Sequence, residues 1–105
     1  MKVDTSISAD MTSVAEQARR FEALGYDGLK IAELQHDPFL PMAIAAEHTS
    51  KIELITSVAV AFARNPMSMA NIAHDINAYS EGRFILGLGT QVQAHVTRRF
   101  GMPWY

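Results

Sequence analysis

The sequence contains no cysteine, which excludes disulfide bridges and thiolate metal sites. Basic residues are also few. Nine lysines and arginines stand against eleven acidic residues, and the net charge of −2 argues against nucleic acid as the main partner. No stretch approaches the ~20 apolar residues that a membrane span needs, and the N-terminus lacks the apolar run of a secretory signal. We expect a cytoplasmic protein without a nucleic-acid or membrane partner.

Apolar residues, by contrast, make up 49% of the 105 residues, enough for one small core. Strand and helix patterns alternate along this chain. β-branched or apolar runs predict strands over residues 2–7, 26–33, 52–62 and 84–88, and each precedes a helix or the start of one, the last near Val92. This alternation indicates parallel strands joined by right-handed crossovers. The apolar run at 52–62 is typical of a strand buried on both faces.

Capping signals and glycines mark the predicted helix boundaries. In a capping box, a serine side chain caps the helix and a glutamate three residues later reaches back. An Asp-Pro or Asn-Pro pair predicts a capping side chain followed by proline in the first turn, and a glycine typically closes the last turn. These signals lie at Ser13 to Glu16, Asp37-Pro38, Asn65-Pro66, Gly25 and Gly82.

Four strand–helix units leave two parallel architectures open. A (β/α)8 barrel takes about 250 residues, so residues 1–105 would form a single partial domain, the first four units of an incomplete TIM barrel. An open four-stranded, doubly wound sheet is the alternative. In both, the active face lies at the C-terminal ends of the strands. The polar residues there include Ser8, Asp10, Glu33, Gln35, His36, Asp37, Arg64, Asn65, Thr90 and Gln91, with His95 on the next helix.

Two local patterns, a glycine pair and a group of polar residues, could reflect either a binding site or ordinary loop structure. Gly87 and Gly89 resemble the start of a dinucleotide-binding fingerprint, but the third glycine is missing and the pair follows the fourth strand. Two glycines equally allow a tight turn or the close approach of a flat ligand. Glu33, His36 and Asp37 could serve acid–base chemistry, yet their spacing is not that of a metal site, and a polar loop explains them as well. We predict no metal.

Several motifs together resemble the luciferase-like monooxygenase superfamily, and most of all its branch of coenzyme F420-dependent oxidoreductases. The resemblance covers essentially the whole chain. It rests on Asp27-Gly28, Ala32-Glu33, His36-Asp37-Pro38, ITSVAVAFARNP, EGRFILGLGTQ and RRFGMPW. It implies a (β/α)8 barrel with an isoalloxazine or deazaflavin ring at its C-terminal mouth. It also implies a bulge with a non-proline cis peptide in the third strand, at Ser57-Val58, that backs the ring.

The resemblance further implies roles for individual residues. Glu33 falls where F420-using relatives carry an acidic residue that contacts the cofactor. The histidine that often follows it directly is replaced by Leu34, and His36 comes two positions late. Val92 stands at the usual proton-donor glutamate, which leaves His95 as the nearest titratable substitute. The expected catalytic residues are Glu33, His36 and His95, and the expected cofactor-binding residues are Glu33, Ser57, Val58, Ala59, Gly89 and Gln91.

The implied chemistry is hydride transfer between coenzyme F420, or alternatively FMN, and a small organic substrate, or flavin-supported oxygenation. The cofactor would supply the reactive ring and the protein would position it. Barrel enzymes commonly bind phosphate after strands seven and eight, so we expect weak or no catalysis by four units alone. A second hypothesis is a non-catalytic half-barrel that forms a homo-oligomer through exposed sheet edges. A third is an open-sheet nucleotide-binding domain.

Overall fold

The computed structural model describes residues 1–90 together with Arg98 and Gly101. Its elements follow the predicted alternation of strands and helices. In chain order they are β1 (Asp4–Ser6), α1 (Val14–Ala23), β2 (Gly28–Ile31), α2 (Phe39–Glu47), β3 (Glu53–Thr56), β4 (Ala59–Val60), a 3₁₀ turn (Ala61–Ala63), α3 (Pro66–Tyr79), β5 (Phe84–Ile85) and β6 (Leu88–Gly89). The helix predicted near Val92 lies outside the described residues.

The main sheet has the order β1-β2-β3-β5, and every neighbouring pair in it is parallel. Its register aligns Thr5 with Leu29, Leu29 with Leu54, and Leu54 with Phe84. The predicted parallel arrangement is therefore confirmed. Because these strands are all parallel, their C-terminal ends meet along one edge, and the strand order follows the chain without a reversal.

The third and fourth predicted strands are each interrupted, which corrects the prediction of a continuous strand over 52–62. β3 stops at Thr56, because the Thr56 hydroxyl exchanges hydrogen bonds with the backbone of Gly87, donating to its oxygen and accepting from its nitrogen, both at 2.9 Å. β4 and β6 then form a separate parallel pair, in which Ala59 aligns with Leu88. Ser57-Val58, between β3 and β4, carries the predicted non-proline cis peptide bond.

The helices cover one face of the main sheet. Leu29, Leu54 and Thr56 are fully buried on this face, and Val14 and Met42 pack there from the helices. Each apolar side chain so buried contributes roughly 1.5–3 kcal/mol. On β3, buried and partly exposed residues alternate. The expectation that this strand is buried on both faces is therefore wrong for β3, because helices of the described part of the chain meet only one of its faces.

The opposite face of the main sheet carries a different set of side chains. The register aligns Ser6, Lys30, Ile55 and Ile85 across the four strands. Of these, Lys30 and Ile55 are half-buried, and Ser6 and Ile85 are exposed. This open face leads to the strand ends where the candidate site lies.

One of the three predicted helix caps is confirmed, and a second is displaced by one residue. Asn65 caps α3 by accepting from the backbone N–H of Met67 at 2.8 Å, with proline in the first turn. The prediction that Asp37 caps α2 with Pro38 in the first turn is off by one residue, because Pro38 itself holds the N-cap position, although the Asp37 carboxylate accepts from the N–H of Leu40 at 2.7 Å. Gly25 and Gly82 follow α1 and α3 with positive φ angles of 92° and 84°, as predicted.

The predicted capping box at Ser13 is wrong, because the Ser13 side chain makes no capping hydrogen bond. Its hydroxyl instead donates to the carbonyl of Asp10 at 3.2 Å and accepts from the Gln17 amide at 2.9 Å. The Asp10 carboxylate organises this turn by accepting from both the N–H and the hydroxyl of Thr12. None of the described helices is long and apolar enough to cross a membrane.

Candidate active site

A cleft of about 560 Å³ opens at the C-terminal ends of β1, β2 and β3. Its lining combines apolar side chains with hydroxyl, amide, imidazole and ammonium groups. The lining residues are Ser6, Ile7, Ser8, Ala9, Lys30, Ile31, Ala32, Leu34, Gln35, His36 and Ser57. No carboxylate is among these residues. The cleft therefore offers hydrogen-bond donors and positive charge at the edge where parallel α/β proteins bind ligands.

Glu33 follows β2 directly, but its side chain is turned away from this cleft and is only 4% exposed. Its two carboxylate oxygens each accept from one Nη atom of Arg64, an ion pair of the bidentate kind. One of the oxygens also accepts from the N–H of Val60 at 2.7 Å. Both oxygens are thus engaged by groups of the protein itself.

Arg64 connects this carboxylate to its surroundings. The guanidinium also contacts Asp37 at 3.1 Å and donates to the carbonyl of Val60 at 3.2 Å. It lies over the ring of Phe39, 5.0 Å from the ring centre. The hydrogen bonds and charge of Glu33 raise the pKa of Arg64 above its ordinary value, despite an opposing effect of burial. Arg64 therefore stays a cation and remains paired with Glu33 and Asp37, and we call these three residues the Arg64 cluster.

Glu33 also fixes the segment between β3 and β4 from two sides. Its backbone N–H donates to the carbonyl of Val58 at 3.3 Å, while its carboxylate accepts from Val60. On the other side of the interruption, the N–H of Ser57 donates to the carbonyl of Ile31 at 2.7 Å. The end of β2 thereby holds the Ser57-Val58 peptide in place, with the exposed Ser57 side chain lining the cleft.

The two glycines of the fourth unit serve close contacts within the chain. A Cβ atom on Gly87 would lie 2.1 Å from the carbonyl oxygen of Thr56, and one on Gly89 would lie 2.6 Å from a methyl group of Val58. Any larger residue at either position would collide with the interrupted third strand. We expected these glycines to allow a tight turn or the close approach of a flat ligand, whereas the groups that approach them in the structure belong to Thr56 and Val58 of the chain itself.

The structure brings only some of the predicted site residues together. His36 and Ser57 line the cleft, whereas Glu33 and Ala59 are buried behind it. Gly89 packs against the half-buried Val58. Gln91 and His95 lie outside the described residues. Among the residues that the structure describes, no group of three or more histidine, aspartate or glutamate side chains could hold a metal ion.

Sequence reasoning missed two residues that matter for the site. Arg64 was recognised only as a polar residue after the third strand, and its pairing with Glu33 joins residues 31 positions apart. A cation after one buried strand and an acid after its neighbour is a signal that could have suggested the pair. Lys30 was overlooked because it lies inside a predicted strand, where alternation with the buried Leu29 and Ile31 places it on the open face.

Comparison with known proteins agrees with this architecture. An uncharacterized protein of Mycobacterium tuberculosis is 54% identical over 104 residues, which are 99% of this chain and 31% of that protein. The 5,10-methylenetetrahydromethanopterin reductase of Methanolobus tindarius is 32% identical over 99 residues, covering 92% of this chain and 30% of the reductase. The chain thus spans about a third of the length of the curated relatives it matches.

Two solved structures share the fold. The coenzyme F420-dependent tetrahydromethanopterin reductase of Methanopyrus kandleri superposes with a TM-score of 0.82 at 23% identity, over 99% of this chain and 30% of that enzyme. The FMN-bound oxygenating constituent of 3,6-diketocamphane monooxygenase, a type II Baeyer–Villiger enzyme of Pseudomonas putida, gives 0.82 at 22% identity, over 96% and 32%. The predicted partial (β/α)8 barrel is confirmed. Since the luciferase-like monooxygenase family profile matches residues 2–105, the chain belongs to that family.

Proposed function

We propose that the protein is a coenzyme F420-dependent oxidoreductase, with FMN as the alternative cofactor, that acts on a small organic substrate. The observation that carries this proposal is the cleft of about 560 Å³ at the C-terminal ends of the parallel strands. In barrel enzymes this end is where active sites lie. The F420-dependent reductase and the FMN-bound monooxygenase of the same fold support the two cofactor choices. A cytoplasmic location belongs to the same proposal.

The cleft is large enough for a tricyclic ring. Its volume of about 560 Å³ falls within the ~300–1,000 Å³ typical of small-molecule sites. Ser57 of the Ser57-Val58 peptide lines one wall, and this peptide is held by Ile31 and Glu33 as described above. When bound, the cofactor would supply hydride transfer or, as FMN, oxygenation. The chain would hold the ring against this wall and present the His36 imidazole to the cleft.

The three predicted catalytic residues take different places in this proposal. His36 faces the cleft and can exchange a proton with a bound molecule. Glu33, whose carboxylate is buried against Arg64, would act as a positioning residue that fixes the Ser57-Val58 wall. His95, like the cofactor contact predicted at Gln91, remains a prediction.

Separate titrations with F420 and FMN, followed by cofactor fluorescence, test the proposal. We expect saturable binding of one cofactor, weakened about tenfold or more by Ala32→Trp, because Ala32 is exposed in the cleft and a large ring there would occupy it. Ala78→Trp is the matched control, since Ala78 is exposed on α3. Failure to bind either cofactor, or equal weakening by both substitutions, would contradict the proposal.

A second candidate is a half-barrel that assembles with another copy of itself. In the described part of the chain, β1 and β5 each have a neighbour on one side only, and unpaired strand edges promote association. Ile85 and Leu88 are 43% and 50% exposed beside one of these edges. Light scattering should then report a dimer that Ile85→Lys converts to monomer. A monomeric parent chain would exclude this candidate.

A further inference from the structure

Lys30 occupies an unusual position at the floor of the cleft. It lies inside β2, where Leu29 and Ile31 on either side are buried against the helices. The register places Lys30 beside Ser6 of β1 and Ile55 of β3, on the open face of the sheet. Its side chain is half-buried and lines the cleft together with His36 and Ser57.

The ammonium group of Lys30 has no hydrogen bond or ion pair with any residue that the structure describes. The nearest acidic residues along the chain and across the strands are directed elsewhere. Glu33 and Asp37 bind Arg64, Asp27 accepts from the backbone of Val3, and Glu53 pairs with Lys2 at 2.9 Å. Asp4 and Glu53 share the open face with Lys30 but align with Gly28, two residues nearer the N-terminal end.

Lys30 buries part of its side chain while its ammonium has no partner among the described residues, and lysines commonly bury the apolar stem and leave the charged group available. A bound anion would supply the missing partner, and its attraction would be stronger here than at a fully exposed lysine. The described lining residues reinforce this preference, since they hold an imidazole, an amide and several hydroxyl groups but no carboxylate. The cleft is therefore suited to a ligand with a negatively charged group.

We propose that Lys30 binds the carboxylate of the substrate, so that this enzyme acts on an organic acid. The inference rests on the proposed oxidoreductase function and specifies its substrate class. A cofactor phosphate presents similar chemistry. Barrel enzymes, however, commonly bind phosphate at loops after strands seven and eight, and Lys30 lies on the second strand of the main sheet. The substrate is therefore the favoured source of the anion.

Succinate and its uncharged diamide are the probes, titrated into the full ¹⁵N-labelled chain at constant ionic strength. We expect succinate to shift the amide signals of cleft residues in a saturable manner and the diamide to have no such effect. Lys30→Met should weaken succinate binding about tenfold or more, as loss of a charge-assisted hydrogen bond implies. Lys30→Arg should retain most of it. Lys51→Met, at an exposed lysine near the opposite ends of the strands, is the matched control.

The alternatives give different results. Absence of saturable succinate binding by the parent chain, or equal binding by the parent and Lys30→Met, would overturn the inference. If Lys30→Met weakens FMN or F420 binding by the same factor as succinate binding, the ammonium binds the cofactor phosphate and the substrate assignment is wrong. If neither cofactor binds while succinate binding still depends on Lys30, the anion site stands and the cofactor assignment fails.

Discussion

Glu33 and Arg64 form an ion pair that is almost removed from solvent, with side chains 4% and 16% exposed. The two substitutions that break it should differ in cost. Arg64→Met leaves a buried carboxylate with only the Val60 N–H as a donor, which should cost about 3–5 kcal/mol. Glu33→Gln leaves Arg64 bound to Asp37 and should cost about 1–3 kcal/mol. Urea unfolding of both variants measures the difference.

A surface arginine provides the control for this pair. Arg20→Met removes a cation that is exposed on α1 and lies over the ring of Phe21. Its effect should stay within about 0.5 kcal/mol. If Arg64→Met were as mild as this control, the cluster would not stabilise the fold, and its role in holding the Ser57-Val58 wall would have to be abandoned.

At the scale of residues, the sequence predicted the position of some site residues but not the direction of their side chains. The expectation that sites lie at the C-terminal ends of parallel strands placed His36 at this edge, where it lines the cleft in the structure. The resemblance located the Ser57-Val58 peptide. Neither could show that the Glu33 carboxylate turns inward, since that depends on where the loop bearing Arg64 meets the end of β2. Pairing between distant loops is a property of the packed chain and not of local pattern.

At the scale of elements, Glu22 joins the end of α1 to the start of β3. One of its carboxylate oxygens accepts from the backbone N–H groups of Ser50, Lys51 and Ile52, at 2.8–3.0 Å. Burial, the largest single influence, would raise the pKa of Glu22. The three backbone donors and the charge of Arg83 outweigh burial, so the pKa lies below the ordinary 4.5.

This depressed pKa predicts a pH-dependent contribution to stability. The folded chain holds its proton at Glu22 less tightly than the unfolded chain does, so the contribution is complete above pH 4.5 and is lost as the pH falls through the folded-state pKa. Glu22→Gln should therefore destabilise the protein by about 1 kcal/mol at pH 7. The difference from the parent should shrink at more acidic pH, as measured by urea unfolding across the range.

Glu16→Gln is the control for this pH series, because Glu16 is exposed on the same helix. It should change the free energy of unfolding by less than about 0.5 kcal/mol at every pH. A Glu22→Gln effect that is the same at pH 7 and in acid would show that the carboxylate charge is not what joins α1 to β3.

The alternation of elements was predictable because each signal behind it is local. Asn65 caps α3 with proline in the first turn, the Asp37 carboxylate accepts from the N–H of Leu40 near the start of α2, and Gly25 and Gly82 adopt the positive φ angles that end α1 and α3. The interruption after Thr56 was not visible in the apolar run, because its cause is a hydroxyl that bonds to Gly87, 31 residues away. Local patterns therefore predicted where elements begin better than where strands break.

Across the whole molecule, the cleft lies at one end of the sheet and a set of stabilising hydrogen bonds lies at the other. The cleft lies at the C-terminal ends of the strands, whereas Arg83 fastens the opposite end just before β5. Its guanidinium donates to the carbonyls of Ala46, Thr49, Ile52 and Ser80 and to the Thr49 hydroxyl, at 2.8–3.2 Å. These contacts connect the ends of α2 and α3 to the start of β3. In barrels, the N-terminal face serves stability and the C-terminal face serves function.

The substitution Arg83→Lys tests whether stability and ligand binding depend on different ends of the sheet. Lysine keeps the charge but cannot donate in the same fork, so the free energy of unfolding should fall by about 2–3 kcal/mol, as loss of hydrogen bonds to a charged group implies. Succinate binding by the remaining folded protein should be unchanged, because Arg83 does not line the cleft. Lys30→Met should give the reverse, with weaker binding and little change in unfolding. Parallel loss of stability and binding in both variants would mean that the two ends of the sheet are coupled.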